Sequence, residues 1–303
     1  VTAGEHPGET RGPSCPVCAT VAAFRFRLGP YSVYDCPSCD HRFSPDAVRE
    51  DHLGSVYSDD YFFGGGAGYD DYLVEADLLR AQGRRYGDLL SRHAAPGRVL
   101  DVGAAAGFLQ AGLQDAGWTT TGLEPNARMV AHARDILGLD TLQGSLENPP
   151  DRPPFDAVCL IQVIGHFYDL GRAFAAVARL TRPGGLCLIE YWRRESAAAR
   201  LMGRGWHEYS PPSVIHWFTR ASLDAAMQRH GFAPVDRGAP KKYISGGHAR
   251  SLLDHKLREL PFGRALAAPT ALIPRNVNFL YPAFDVEWRL YRKEATTPRG
   301  ETP

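Results

Sequence analysis

The stretch VLDVGAAAGFL, residues 99–109, decides the fold. Up to Val102 it has the apolar character of a buried strand, and from Ala104 it can run on as an alanine-rich helix. The join between them has only two glycines, Gly103 and Gly107. It is therefore either a loop that receives a cofactor or an ordinary strand-to-helix corner, and its surroundings must separate the two.

From Arg98 onward the chain alternates. RVLDVG is a strand and GFLQAGLQDAG a helix closed by Gly117. TTTGLE is a strand, followed by the helix NARMVAHARDILG with Asn126 as N-cap. TLQG is a short strand. FDAVCLIQVI is a near-continuous apolar run, as expected for a strand buried on both faces. The helix DLGRAFAAVARL stops at RPGG, and LCLIEYW is the next strand. ASLDAAMQRHG is a helix with Thr219 near its start. The alternation predicts an α/β, Rossmann-like, doubly wound sheet of mostly parallel strands. FAPVDRGAPKKYIS continues as a strand with an extension, SLLDHKLREL through LAAPTALI as a helical insertion, and NFLYPAFDVEWRLYRK as a late strand.

Asp101 ends the first strand, and Glu124 ends the next one. An acid at that second position can accept bonds from both ribose hydroxyls, so loop and acid together indicate an adenosine-type cofactor. The three glycines of G-x-G-x-x-G, which let a pyrophosphate approach a helix N-terminus, are absent.

Four of the six cysteines form two close pairs, Cys15/Cys18 (CPVC) and Cys36/Cys39 (CPSC), 17 residues apart. Two C-x-x-C knuckles brought together by a hairpin suit tetrahedral zinc. Disulfides lack a secretion signal to support them, and a redox motif needs no second pair. With four sulfur ligands the ion is structural. His41, two residues beyond Cys39, reads as a surface residue. Cys159 and Cys187, single within apolar runs, read as buried small hydrophobes.

The spacing D-x-G-x-x-x-G resembles motif I of class I S-adenosylmethionine-dependent methyltransferases, with Ala105 in place of the usual middle glycine. GLEPNARMVAHAR, FDAVCLIQVIGHFYD and LTRPGGLCLIE follow in that family's order. The resemblance implies S-adenosylmethionine as cofactor. Asp101, Gly103, Ala105 and Gly107 would cradle its methionine part, and Glu124 with Pro125 its ribose. Ser145 and Leu146 would cover adenine, and Gln162 to His166 would face the reacting centre. Ala105 is expected at negative φ, where its methyl group is tolerated.

The whole layout resembles a narrower group, bacterial zinc-ribbon methyltransferases of surface-polysaccharide and natural-product biosynthesis. The likeness covers residues 14 to 235 and departs at Gly165, where that group commonly has Glu. It implies a small N-terminal zinc-ribbon module at 14–45 and a helical linker or lid at 46–95. The cofactor-binding core then spans 96–240, and a C-terminal insertion with the last strand 241–295. Loose tails lie at 1–13 and 296–303.

Several side chains are candidates for chemistry. His166 is either a base or cofactor-pocket residue, or a helix-start residue bonding backbone. His216, in VIHWFT, either faces substrate over the active-site mouth or packs with Trp217 and Phe218. His207 and Glu208 form a further polar pair in the same segment, GRGWHEYSPPSVIHWFT, a lid that the resemblance places over the active-site mouth. Tyr191 and Trp192 wall the acceptor pocket or are core aromatics. Tyr57, Tyr61, Tyr69 and Tyr72 straddle a turn at three successive glycines, Gly64 to Gly66; Tyr61 and Tyr69 are the candidates for closing over cofactor. Lys241 and Lys242 either bind an acidic substrate group or are solvated.

Composition narrows the function. Lys plus Arg and Asp plus Glu are equal at 34 each, so no global field favours nucleic acid or a membrane surface. No apolar run is long enough to span a bilayer, and the N-terminus lacks a signal-peptide stretch, which makes cytoplasmic the default expectation. The leading reading is a methyltransferase acting by in-line transfer on a sugar, nucleotide sugar or natural-product intermediate. An RNA methyltransferase gripping RNA with the ribbon would need a basic face, and residues 14–45 have only Arg25, Arg27 and Arg42 against Asp35 and Asp40. Two further readings belong to different classes. One is a protein-docking module without catalysis. The other is an enzyme that uses the cofactor for cyclisation or rearrangement instead of methyl transfer. The residues set no oligomeric state.

Overall fold

A computed structural model describes residues 12–47, 58, 62, 72–241, 243–247, 250, 270, 272, 274, 277–280 and 284–295. Tyr57, Tyr61, Tyr69, Lys242 and most of the expected helical insertion lie outside the described residues.

The apolar runs form the strands expected of them. The core strands are β4 (Arg98–Val102), β5 (Thr119–Glu124), β6 (Thr141–Gln143), β7 (Phe155–Ile161) and β8 (Thr181–Trp192). They join β10 (Phe232–Gly238) and β13 (Val286–Lys293) in one sheet of order β10-β13-β8-β7-β4-β5-β6. The β4–β5, β5–β6, β4–β7 and β7–β8 pairs are parallel, whereas β13 is antiparallel to both of its neighbours. The chain builds outward from β4 to β6, then returns to the other side of β4 to place β7. That reversal opens a crevice beyond the carboxyl ends of β4 and β7, where open α/β sheets bind ligands.

Helices cover both faces. On one side, α1 (Ala76–Ser91) and α2 (Phe108–Asp115) bury Tyr86, Leu90, Leu109 and Leu113 against Val99, Ala157 and Leu188. On the other, α4 (Leu170–Leu180) and α6 (Arg220–Arg229) bury Phe174, Val177 and Leu223 against Leu100, Val158 and Ile189. Cys159 and Cys187 are fully buried, as their apolar neighbours require. Between β5 and β6 lies α3 (Ala127–Ala131), capped by the Asn126 side chain accepting from Met129 N. It runs into a single π-helical turn at His132–Ile136, a form common next to functional loops. Thr219 and Ser222 form a reciprocal capping box at the start of α6.

A second sheet is built from β1 (Ala23–Leu28), β2 (Tyr31–Asp35), β3 (Arg42–Phe43) and β9 (His216–Trp217), in that order. The ribbon hairpin therefore takes its last strand from the segment predicted as a lid. A further short pair joins β11 (Tyr243–Ser245) to β12 (Asn278–Leu280). The short helix α5 (Ala197–Met202) precedes the lid segment. Among the described residues no helix is long and apolar enough to cross a membrane.

The close approach of α1 and α2 depends on glycine. A Cβ on Gly83 would lie 2.2 Å from the Leu109 carbonyl oxygen, and one on Gly112 would lie 2.1 Å from that of Arg80. Backbone cannot yield as a side-chain tip can, so the helices would have to separate. Gly83→Ala and Gly112→Ala should each destabilise the protein by about 1–3 kcal/mol, read as a lowered Tm in a circular-dichroism melt.

Candidate cofactor and acceptor site

The loop after β4 turns through left-handed backbone at alternate residues: Gly103 (φ 70°), Ala105 (φ 45°) and Gly107 (φ 88°). Two of the three have no room for a side chain. A Cβ on Gly103 would meet Val163 Cγ1 at 2.4 Å, and one on Gly107 would meet Leu139 Cδ1 at 2.7 Å. Ala105 departs from the expected negative φ. The reason is a hydrogen bond: its N–H donates to Glu124 Oε2 at 2.9 Å, which requires this turn. A left-handed alanine costs about 1–2 kcal/mol, which the bond to a carboxylate can offset.

Glu124 accepts a second backbone bond, from Asn126 N to Oε1 at 2.8 Å, while its carbonyl oxygen accepts from Gly144 N at 3.0 Å. Asp101 sits beside it, wholly buried, and its Oδ2 has no hydrogen-bond partner among the described residues. Burial, and then the neighbouring Glu124, pushes the Asp101 carboxyl up to about 8. Burial likewise raises Glu124 to about 7, opposed by its two backbone donors. Two close buried carboxyls, one unsatisfied, form a site that gains from a cation or hydroxyl donors. Together with the glycine cradle, this donor set fits S-adenosylmethionine, which carries an α-ammonium group, a sulfonium cation and a ribose diol. Pro125 is half-buried, and its carbonyl oxygen accepts from Gln143 Nε2. Ser145 bridges to Asn148 beyond Gly144, and the Leu146 side chain is fully buried in the core with Leu123 and Ile164. The segment before α1 also reaches the loop: Phe62, Tyr72, Ala105, Ala106 and Phe108 form one buried cluster.

Beyond β7 and β8 lies a narrow cleft of about 20 Å³, room for a water-sized group. Its walls include Gln162, His166, Tyr191, Trp192, Glu208 and Trp217. Gln162 has φ 59° and is clamped: Nε2 donates to Glu190 Oε1 at 2.6 Å, and Oε1 accepts from Trp192 Nε1 at 3.1 Å. Glu190, fully buried at the end of β8, also accepts from Gln82 Nε2 at 3.2 Å and from the Tyr86 hydroxyl. The sequence does not single it out, because an acid within an apolar strand gives no hint of its partners on α1. His166 donates from Nδ1 to the Ser213 carbonyl at 2.8 Å. That bond assigns the ring proton to Nδ1 and makes Nε2 the basic nitrogen of the neutral ring. The Tyr191 hydroxyl is buried without a partner among the described residues, and burial raises its pKa. His207 packs edge-on against Trp192 and lies 3.6 Å from Glu208, and it is Glu208 that lines the cleft. Trp217 donates from Nε1 to the Glu208 carbonyl at 2.6 Å.

Two expectations for histidines are corrected. His216 borders the cleft, but its ring is buried and its nitrogens are engaged: Nε2 donates to the Phe167 carbonyl at 3.0 Å, and Nδ1 faces His41 Nε2 at 3.1 Å. A general-base role is therefore not its role in this arrangement. His41 is fully buried rather than on the surface, because β9 closes over it. Gly165, the departure from the resembled pattern, has its carbonyl oxygen bonded by both Ile215 N (2.8 Å) and His216 N (3.1 Å). A Cβ there would press on Val214 and His216 at 3.1 and 3.2 Å.

The four cysteine sulfurs lie within 4.8 Å of one another, with Cys15–Cys39 at 3.6 Å and Cys18–Cys36 at 3.3 Å. A tetrahedral zinc with Zn–S of about 2.3 Å needs sulfurs about 3.8 Å apart, so the four side chains fit that ion. No cysteine is in a disulfide.

Sheet order, carboxyl-end crevice and paired acids define a class I, Rossmann-like cofactor fold. A family model described as a methyltransferase domain matches residues 76–236, just over half of the chain, and the chain belongs to that family. A malonyl-[acyl-carrier protein] O-methyltransferase of Pectobacterium atrosepticum is 35% identical over 170 residues, 55% of this chain and 65% of that protein. A ubiquinone biosynthesis O-methyltransferase of Rhodopseudomonas palustris is 30% identical over 132 residues, 41% of this chain and 49% of that protein. The chain thus spans from about half to just under two thirds of these relatives' lengths. Among solved structures, the 1,6-didemethyltoxoflavin-N1-methyltransferase of Burkholderia thailandensis, bound to 1,6-didemethyltoxoflavin and S-adenosylhomocysteine, shares the fold. Its TM-score is 0.52 at 16% identity, covering 90% of this chain and 100% of that one.

The raised pKa of Asp101 has a signed consequence. Between the unfolded carboxylate range, about 4, and about 8, the folded protein holds a proton that the unfolded chain has released. Stability of the ligand-free protein therefore carries a component that is full below pH 4 and is lost as pH rises toward 8. Asp101→Asn should flatten this decline, seen in urea unfolding at pH 5.5 and 8; an identical decline in the variant contradicts the assignment.

Proposed function

We propose that the chain transfers a methyl group from S-adenosylmethionine to a small-molecule acceptor of the sugar, nucleotide-sugar or natural-product class. The observation that carries this reading is adjacency. The acid-bearing loop at the ends of β4 and β5 adjoins the aromatic-walled cleft at the ends of β7 and β8, on the same edge of the sheet. Asp101, Glu124 and the Gly103–Gly107 backbone would hold the cofactor, which supplies a methyl on a sulfonium with a neutral thioether as leaving group. The residues then have to align and to exclude water, which suits a transfer needing little covalent help from protein.

The residues that line this narrow cleft suit a partly polar acceptor. Trp192 and Trp217 offer flat apolar walls, while Glu208, His166 and the Tyr191 hydroxyl offer hydrogen bonds. His166 is the proposed base: its Nδ1–H is fixed on Ser213, so Nε2 is the nitrogen that takes a proton from an acceptor hydroxyl, amine or carbon. The relatives' names support O-methylation as the first chemistry to try. The four-cysteine cluster is proposed to hold a structural zinc ion, since four thiolates leave no coordination position for a substrate.

The primary assay incubates the protein with S-adenosylmethionine and a panel of nucleotide sugars and aromatic or polyketide intermediates, and reads S-adenosylhomocysteine and a methyl mass increment. Glu124→Ala should weaken cofactor binding about 10- to 100-fold by titration calorimetry, the loss expected for charge-assisted bonds of about 1.5–3 kcal/mol. Unchanged affinity in that variant counts against the site. His166→Ala should leave cofactor affinity within about threefold and lower kcat by about 10²- to 10⁴-fold. An unchanged kcat removes His166 as base.

A further inference from the structure

The ribbon and the acceptor cleft share one sheet. Strand β3 leaves the Cys36–Cys39 knuckle and pairs with β9, Arg42 opposite Trp217 and Phe43 opposite His216. The ladder extends one step further, with Ser44 N donating to the Ile215 carbonyl at 2.9 Å. His216, Trp217 and the nearby Val214 and Glu208 are themselves walls of the cleft. What fixes the ribbon therefore also fixes that wall.

The knuckle sets His41 directly. Cys36 N donates to the His41 carbonyl at 2.8 Å, and Asp40 N donates back to the Cys36 carbonyl at 3.1 Å, with Asp40 in left-handed backbone at φ 58°. This turn directs the His41 ring inward. The ring lies 4.5 Å from the Phe218 ring and stacks on Phe43 at 5.8 Å. Its Nε2 meets His216 Nδ1 at 3.1 Å, and His216 passes the chain of hydrogen bonds on to the Phe167 carbonyl at 3.0 Å. Phe167 adjoins His166. Two more contacts clamp the same junction: Arg42 bonds Asp35 and the Tyr209 hydroxyl at 2.5 Å, and Arg194 bonds the Asp40 carbonyl at 2.7 Å. By contrast, the hydrogen bonds that join Ala105, Glu124, Asn126 and Gly144 involve no ribbon residue.

We propose that the four-cysteine ribbon is a built part of the acceptor site, holding residues 206–218 over the cleft with His41 as the positioning residue, while the cofactor site stands without it. This rests on the functional reading above, which places cofactor and acceptor in adjacent compartments. A metal-dependent module thus governs acceptor binding rather than cofactor binding.

The test compares metal-loaded full-length protein, the same protein stripped by chelator dialysis, and a metal-loaded His41→Phe variant. Phenylalanine keeps the ring packing and removes the hydrogen bond to His216. Hydrogen exchange is followed at the amides of Ser44, Ile215 and His216, and S-adenosylmethionine binding is measured by calorimetry on all three samples. Stripping should speed exchange at these amides by about tenfold or more, and His41→Phe by a smaller factor. Cofactor Kd should stay within about threefold throughout, and the variant should keep its full complement of zinc by elemental analysis. Unchanged exchange in both samples overturns the proposal, as does a fall in cofactor affinity that keeps pace with the exchange. If the metal-loaded wild-type protein does not bind S-adenosylmethionine, the functional reading fails and the proposal falls with it.

Discussion

One carboxylate, Glu124, ties together the loops of the proposed cofactor cradle. Its two oxygens accept from Ala105 N and Asn126 N, and its own carbonyl accepts from Gly144 N. The loops following β4, β5 and β6 are thus all referred to one residue at the end of β5. A carboxylate buried this deeply would be costly if left bare. Two charge-assisted backbone bonds reduce that cost and fix the corner of the cradle. The same constraint explains Ala105, whose left-handed backbone follows from giving its N–H to Glu124.

Asp101 shows the opposite case. It is as buried as Glu124, yet one of its oxygens has no partner among the described residues, and burial with the neighbouring Glu124 pushes its carboxyl up to about 8. An unsatisfied buried acid is unfavourable in the free protein and favourable to whatever cation or donor enters. Stability given up at this place becomes available for binding, the usual relation between strain and function.

The proposed acceptor side is organised by contacts between segments far apart in sequence. Glu190 on β8 gathers donors from α1 and from Gln162 after β7, and Gln162 in turn takes the Trp192 indole. His41 and His216, 175 residues apart, share a hydrogen bond at the seam between ribbon and core. Both are buried networks in which each member orients the next, and neither works as a set of independent residues.

The strand and helix alternation, the Asn126 cap, the cysteine cluster and the placing of Asp101 and Glu124 at the ends of successive strands are all legible in the amino-acid sequence. These are local patterns: periodicity, capping chemistry and fixed short spacing follow from the backbone's own geometry. The insertion of β13 between β8 and β10, the sign of φ at Ala105, the burial of His41 and the engagement of His216 come from the folded arrangement instead. Strand order and side-chain partners depend on which distant segments meet. A histidine next to aromatic residues looks the same in sequence whether it faces a cleft or a neighbouring strand. Pairing β3 with β9 settled that choice, because it buries the two histidine rings together and commits to hydrogen bonds the nitrogens that a catalytic histidine would have kept.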